Sequence, residues 1–208
     1  MWQSILHNVK GLSIFAIVTA GLIALTQTQT ADTIAANERA ARAKALYEII
    51  AKDNIDNDLL EDTISITSAS LGIHEPQDVY IAKRDGKAVA AILPVVAPDG
   101  YTGSIKLIVG IHSNGDIAGV RVLNHQETPG LGDKIDLKKS PWVLSFNDKS
   151  LLNPAEKGWR VKKDGGDFDQ FTGATITPRA IVSAVHRALR YFESNKVELL
   201  AHDQENKS

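Results

Sequence analysis

The residues of this chain best equipped for chemistry lie in one run: Asp169, Gln170, Phe171, Thr172, Gly173, Ala174, Thr175, Ile176, Thr177 and Pro178. Three hydroxyls and a glycine are gathered there in a short loop that ends at a proline. From Arg179 to Ser194, Ile181, Val182, Val185, Leu189 and Phe192 recur at helical spacing, which predicts a helix starting here. Pro178 suits a first helical turn because its missing N–H would have no intrahelical partner there, and Thr177 is expected as the N-cap. The loop thus feeds the positive end of a helix dipole, where unpaired backbone N–H groups receive an anion, typically a phosphate. Gly173 lets backbone approach a ligand closely, having no Cβ in the way. Threonines in such a run also serve as plain turn and cap residues, and the loop's local chemistry is compatible with both roles.

A second loop, His125 to Lys134, packs Pro129, Gly130 and Gly132 into four positions directly after a strand-like segment. Its composition fits a ligand-contacting loop or an ordinary surface connection. Tyr101, Thr102, Gly103 and Ser104 form a further turn of mostly small residues.

These loops need a frame, and period-two β-branched patterns supply one from Val79 onward. Asp85-Gly86 separates the segments 79–84 and 88–96, and Asn114-Gly115 separates 105–112 and 117–123, which predicts two hairpins. The sheet is expected to be antiparallel and at least four strands wide, with Pro94 and Pro98 marking a strand that ends at an edge. Trp142, Phe146 and Trp159 are expected to pack in the core or as a lid rather than on a ligand ring. His74, His112, His125 and His186 show no metal-ligand spacing, so no metal site is assigned; His125 lies nearest the second loop.

Before the sheet, Gly11 to Leu25 carries no charge, follows His7 and Lys10, and leads into the polar run Thr26 to Thr30. That length just suffices for a membrane-spanning helix of about 20 residues. A cleaved signal peptide and a buried soluble helix are the competing assignments, the first disfavoured by the lack of a small-x-small cleavage site after Leu25. Lys10 then places the N-terminus in the cytoplasm and the bulk of the chain across the membrane. Residues 32–52 are expected as an amphipathic helix leaving the membrane, and the acidic run 53–62 as solvated surface without a calcium-loop pattern. The charged tail from Ala201 to Ser208 is expected to fray.

Composition closes several alternatives. With 208 residues there is room for one medium domain plus an appendage. A formal charge of −2 gives no basic field for nucleic acid. Zero cysteines exclude disulfides, thiolate-ligated iron–sulfur clusters and a cysteinyl flavin on this chain.

The string Asp169, Thr172, Gly173, Ala174, Thr175 resembles the flavinylation motif of the FMN-binding domains in the G subunit of the Rnf electron transport complex and the C subunit of the sodium-pumping NADH:quinone oxidoreductase. Thr172 stands where many members carry serine, which keeps the hydroxyl. The Glu127, Thr128, Pro129, Gly130, Leu131, Gly132 run resembles the FMN-contacting loop of the same families, and the likeness to the Rnf subunit extends over nearly the full chain.

The resemblance implies an α+β protein: a single-pass N-terminal membrane helix within residues 1–30, then an extracytoplasmic, antiparallel-sheet FMN-binding domain with packed helices over 31–208. It implies FMN joined by a phosphoester to Thr175, with Thr172, Gly173, Ala174, Glu127, Thr128, Leu131 and Gly132 around the cofactor. A separate flavin transferase would attach it from FAD, using a metal ion and releasing AMP. The subunit would be catalytically silent alone, relaying electrons between ferredoxin and NAD in a bacterial inner-membrane complex that moves ions, beside other membrane subunits.

Two other functions compete. One is a non-redox, membrane-tethered module whose threonine loop binds a phosphate or a partner. The other is a threonine-nucleophile hydrolase, which lacks an adjacent lysine or a free N-terminal threonine to act as base.

Overall fold

The computed structural model describes residues 2–201, and the chain divides into two compact units, residues 1–42 and 43–208. The expected fraying of the tail therefore lies outside the described residues, apart from Ala201, which ends the last helix.

Helix α1 (Trp2–Ile49) is continuous, and from Asn8 it is long and apolar enough to cross a membrane. Leu12, Phe15, Ile17, Leu22 and Ile23 are exposed along it, a run of apolar surface that water disfavours. The sequence predicts two helices separated near Thr30, whereas the structure has one. The polar run stays helical because its threonines bond back to carbonyls one turn earlier: Thr26 to Leu22 at 2.8 Å, Thr28 to Leu25 at 2.9 Å and Thr30 to Thr26 at 2.9 Å. Such hydroxyls satisfy themselves without leaving the helix.

The second unit is built on five antiparallel strands in sequential order: β1 (Thr63–Ser68), β2 (Ile73–Arg84), β3 (Lys87–Ala97), β4 (Ile105–His112) and β5 (Ile117–Asn124). Both predicted hairpins are present. Strand β1 is additional to the four expected, and Pro94 does not sit at an edge. It lies in the central strand β3, opposite Ile108 of β4. On its other side β2 pairs with β3 only as far as Tyr80 opposite Ile92, so the missing N–H of Pro94 falls beyond the last pair and interrupts nothing there.

The strands bury both faces, as their alternation requires. Ala91, Leu93, Val95, Leu107, Val109 and Ile111 face a core closed by helix α2 (Ile176–Ala201) and by Phe146, Trp159 and Phe168. Phe146 stacks on Phe168 with ring centroids 4.7 Å apart. Trp159 and Phe146 are therefore core packing, as their size predicts. Ala90, Ile92 and Ile108 face a smaller core with Leu46, Ile49 and Ile50.

Ile49 occupies a slot made by two glycines paired across β4 and β5, Gly110 and Gly119. A Cβ on Gly110 would overlap Ile49 Cγ2, and one on Gly119 would meet it at 3.5 Å. Beside the slot, Arg121 donates from Nε to the Glu48 carboxylate at 3.0 Å and from Nη2 to the Glu48 carbonyl at 3.1 Å. Gly110→Ala is expected to destabilise the domain by about 1–3 kcal/mol through overpacking. In chemical denaturation, Gly110→Ala combined with Ile49→Ala should cost less than the two single changes summed. Strict additivity would show that the two side chains do not compete for one space.

Candidate functional site

The threonine run is held from both ends before it reaches α2. At its entry, Trp142 Nε1 donates to the Asp169 carbonyl at 2.8 Å, the Asp169 carboxylate pairs with Lys162 at 2.7 Å, and Gln170 Oε1 accepts from the Lys163 N–H at 3.1 Å. Phe171 is buried with its ring 5.0 Å from that of Trp142 in an edge-on contact. The chain then turns tightly, the Ala174 N–H reaching the Phe171 carbonyl at 3.1 Å. Gly173 makes this possible at φ 81°, a conformation that costs a side-chain-bearing residue.

Helix α2 begins one residue earlier than Thr177 allows for a cap. Its first residue is Ile176, and the Thr175 carbonyl accepts from the Arg179 N–H at 3.3 Å, so Thr175 holds the N-cap position. Thr175 Oγ1 has no hydrogen-bond partner among the described residues, and Thr175 is half-buried. Thr177, expected as the cap, lies inside the first turn and is fully buried. Its hydroxyl donates instead to Glu127 Oε2. Pro178 follows without an N–H and Thr177 is buried, which leaves the exposed Ile176 to offer a first-turn N–H to an anion.

Glu127 ties three segments together. It is 4% exposed; one carboxylate oxygen takes the Thr177 hydroxyl and the other takes the Thr102 N–H at 3.0 Å. The backbone N–H of Glu127 is in turn bonded to His125 Nδ1 at 3.1 Å, which gives that histidine a structural role. The turn at 101–104, the second loop and the mouth of α2 thus meet on one buried carboxylate. Gly132 is packed into the same joint: a Cβ there would lie 2.8 Å from both Glu127 Oε2 and Thr177 Oγ1.

The second loop is wound on one carbonyl. Thr128 O accepts from Leu131 N and Gly132 N, each at 3.1 Å, and from Asp133 N at 3.4 Å. Thr128 and Leu131 are exposed, and Leu131 leans toward the motif, its Cδ2 lying 3.5 Å from where a Cβ on Gly173 would be. The structure thus brings Leu131 and Gly173 together at the surface, and Glu127, Gly132 and Thr177 together beneath it. Thr172 and Gly173 are exposed and Ala174 half-buried.

The sequence marks the segments of Thr102 and Asp133 without assigning either residue a contact, and it does not single out Asp164. Thr102 contributes through its backbone, which no side-chain pattern reports. Asp133 is 8% exposed, with Oδ1 buried and without a hydrogen-bond partner. Asp164 clamps Arg179 through paired bonds of 2.5 and 2.6 Å, one turn past Thr175. Arg179, with Lys163 and Arg160 nearby, holds the Asp164 carboxyl below its ordinary value of 3.8. The ion pair accordingly contributes fully above about pH 4 and fades as acid protonates Asp164 below that range. Carboxyl NMR titration should place the Asp164 pKa under 3.8, and Arg179→Gln should return it toward that value.

A threonine loop at a helix mouth is thus set against an antiparallel sheet and joined to a second glycine-bearing loop, within a stretch similar to FMN-binding domains. The FMN-binding domain model matches residues 100–190, and the RnfG N-terminal region model matches residues 1–49. The chain is similar to the G subunit of the ion-translocating oxidoreductase complex of Pseudomonas aeruginosa, 50% identical over 203 residues that cover 97% of this chain and 95% of the relative. The protein of the same name from Shewanella loihica is 51% identical over 201 residues, covering 96% and 95%. That from Vibrio cholerae is 47% identical over 206 residues, covering 99% and 98%. The chain belongs to this family, the G subunits of ion-translocating oxidoreductase complexes.

The residues present fit a flavin mononucleotide. The first-turn N–H of the exposed Ile176 suits its phosphate, the exposed Leu131 offers apolar surface to a ring, and the orphaned Asp133 Oδ1 is an acceptor of the kind its hydroxyl and imide protons need.

Proposed function

We propose that this chain is the flavoprotein subunit of a membrane-bound electron transport complex, and that Thr175 carries its FMN through a phosphoester. The observation that carries this is the uncommitted Thr175 hydroxyl, at the cap position of α2 yet bonded to nothing among the described residues. A cap threonine ordinarily spends that oxygen on its own helix. Here Thr177 and Glu127 fasten the helix mouth from below, so the Thr175 oxygen stays available above.

Threonine is a weak nucleophile by itself, so a separate flavin transferase makes the linkage during maturation. The Thr175 oxygen takes the FMN phosphoryl group from FAD, AMP leaves, and the hydroxyl proton passes to a base of the transferase. This chain is the acceptor. Its N–H at Ile176 and the positive end of α2 hold the remaining phosphate charge, Gly173 gives the phosphate room at the backbone, and Thr128 and Leu131 shape the second wall with Gly132 packed behind them. Once bound, the flavin supplies one- and two-electron redox chemistry.

Other subunits of the complex donate and accept the electrons, passing them between ferredoxin and NAD with coupled ion movement. Helix α1 anchors the subunit in the inner membrane, and residues 31–208 lie on the periplasmic side. Peptide mass mapping of protein matured in its native host tests the assignment: the fragment containing Thr175 should carry one FMN less one water. A bare fragment in a complex that still transfers electrons would overturn it.

A further inference from the structure

The three segments that meet on Glu127 are built alike around it. Thr102 gives its N–H to one carboxylate oxygen at 3.0 Å, Thr177 gives its hydroxyl to the other, and Gly132 is packed so closely that a Cβ there would lie 2.8 Å from Glu127 Oε2. The residue immediately before each of these is large, apolar and exposed: Tyr101 at 68%, Leu131 at 42% and Ile176 at 45%. The joint thus turns one residue of each segment inward and leaves its predecessor outside. Apolar side chains scattered singly over a surface are ordinary, whereas three raised by different segments around one buried carboxylate mark a place built for apolar contact.

That place adjoins the attachment point assigned above. Ile176 follows Thr175 directly, and Leu131 lies on the motif loop, its Cδ2 3.5 Å from where a Cβ on Gly173 would be. Tyr101 stands on a tightly held backbone. A Cβ on Gly100 would overlap the Gly103 carbonyl and come within 2.9 Å of Glu127 Oε1, and Gly103 turns the chain at φ 136°, which a residue with a side chain rarely adopts. A tyrosine fixed in this way loses little freedom when it meets a ligand. Its flat face suits another aromatic system in an offset or edge-on arrangement. An FMN tethered at Thr175 brings such a system, a fused ring on a short ribityl chain that cannot leave the neighbourhood. The tether therefore makes the flavin ring, rather than a protein surface, the occupant of these three side chains.

We propose that Tyr101 is a ring-contacting residue of the flavin site, lying against the isoalloxazine while Leu131 and Ile176 complete an apolar seat around it. This rests on the assignment of FMN to Thr175 and adds to it a residue that neither the threonine run nor the second loop contains.

Time-resolved flavin emission tests the seat without any turnover, using the full chain flavinylated by coexpression with a flavin transferase and purified in a maltoside detergent. A tyrosine stacked on an excited flavin quenches it by giving up an electron that then returns, so stacked rings emit with a short lifetime and free rings with a long one. The ratio of short-lived to long-lived amplitude should fall about two- to tenfold in Tyr101→Leu, the range for loss of one aromatic pair. Tyr101→Trp should hold the ratio at or above that of the unaltered chain. Fluorescence of the denaturing-gel band reports covalent loading separately for each sample. A dark band from the unaltered chain would sink the Thr175 assignment, and this seat with it. A fluorescent band without a short-lived component, or with a ratio indifferent to Tyr101→Leu, would overturn the seat alone and leave the three side chains to a partner subunit. Loss of the short-lived component in Tyr101→Trp would also overturn it, as would a dark band in Tyr101→Leu, which would move Tyr101 from ring contact to attachment.

Discussion

Thr175→Val is expected to yield a full-length, folded protein whose band shows no flavin fluorescence in a denaturing gel after coexpression with a flavin transferase. Valine matches threonine in shape and removes only the oxygen. Because that oxygen has no partner among the described residues, stability should change by no more than about 0.5 kcal/mol, the range of substitutions away from special features. The effect on the cofactor should be all or nothing, since a tethered group stays at the site at any free flavin concentration and an untethered one is lost on dilution. Thr172→Val and Thr177→Val sharpen the comparison. Thr172 is exposed, and its variant should retain the fluorescent band. Thr177→Val strands Glu127 Oε2 in a buried joint and should lower stability while leaving the ester chemically possible. A colourless wild-type band would instead favour a non-redox tethered binding module.

The second large effect is expected at Glu127. Glu127→Leu removes the acceptor for a fully buried hydroxyl and for the Thr102 N–H together. Leaving each unpaired costs about 1–3 kcal/mol, so a loss of about 2–6 kcal/mol is expected. For a domain of this size that corresponds to a fall in Tm of about 4–24 °C. Glu127→Gln keeps one carbonyl oxygen as acceptor and should recover part of the loss. Flavin attachment in Glu127→Leu should fall with the folded fraction, because the turn at 101–104, the second loop and the helix mouth lose their common tie. The opposite pattern, a shifted flavin potential in a chain of unchanged Tm, would make Glu127 a direct flavin contact and displace the structural role given to it here.

Local sequence encodes some of these elements and is silent on others. Asp85-Gly86 and Asn114-Gly115 announced their hairpins because two-residue turns carry their own chemistry, and the structure holds both. The helix after the motif was legible from its apolar spacing. Strand β1 was not: Thr63–Ser68 is six residues long and sits at an edge. The continuity of α1 was hidden because a run of threonines resembles a break until each hydroxyl is seen to bond within the helix. Thr177 shows the limit most plainly. As an isolated residue before a proline it reads as a cap, and the partner that draws it inward stands 50 positions earlier in the chain. Tertiary contacts of that separation leave no trace in local spacing. The loop itself, its glycine and its threonines were legible, and the structure sets them at the mouth of α2.

The seat of Ile49 between Gly110 and Gly119 decides where this protein can be shortened. A water-soluble fragment made by deleting everything through residue 50 would discard Leu46, Ile49 and Ile50 and open the underside of the sheet to solvent. Starting the fragment at Ala43 keeps those three side chains and the Glu48 partner of Arg121, and sheds the lipid-compatible stretch. The final turns of the anchoring helix are thus domain sequence, and expression boundaries drawn from hydropathy alone would cut through them.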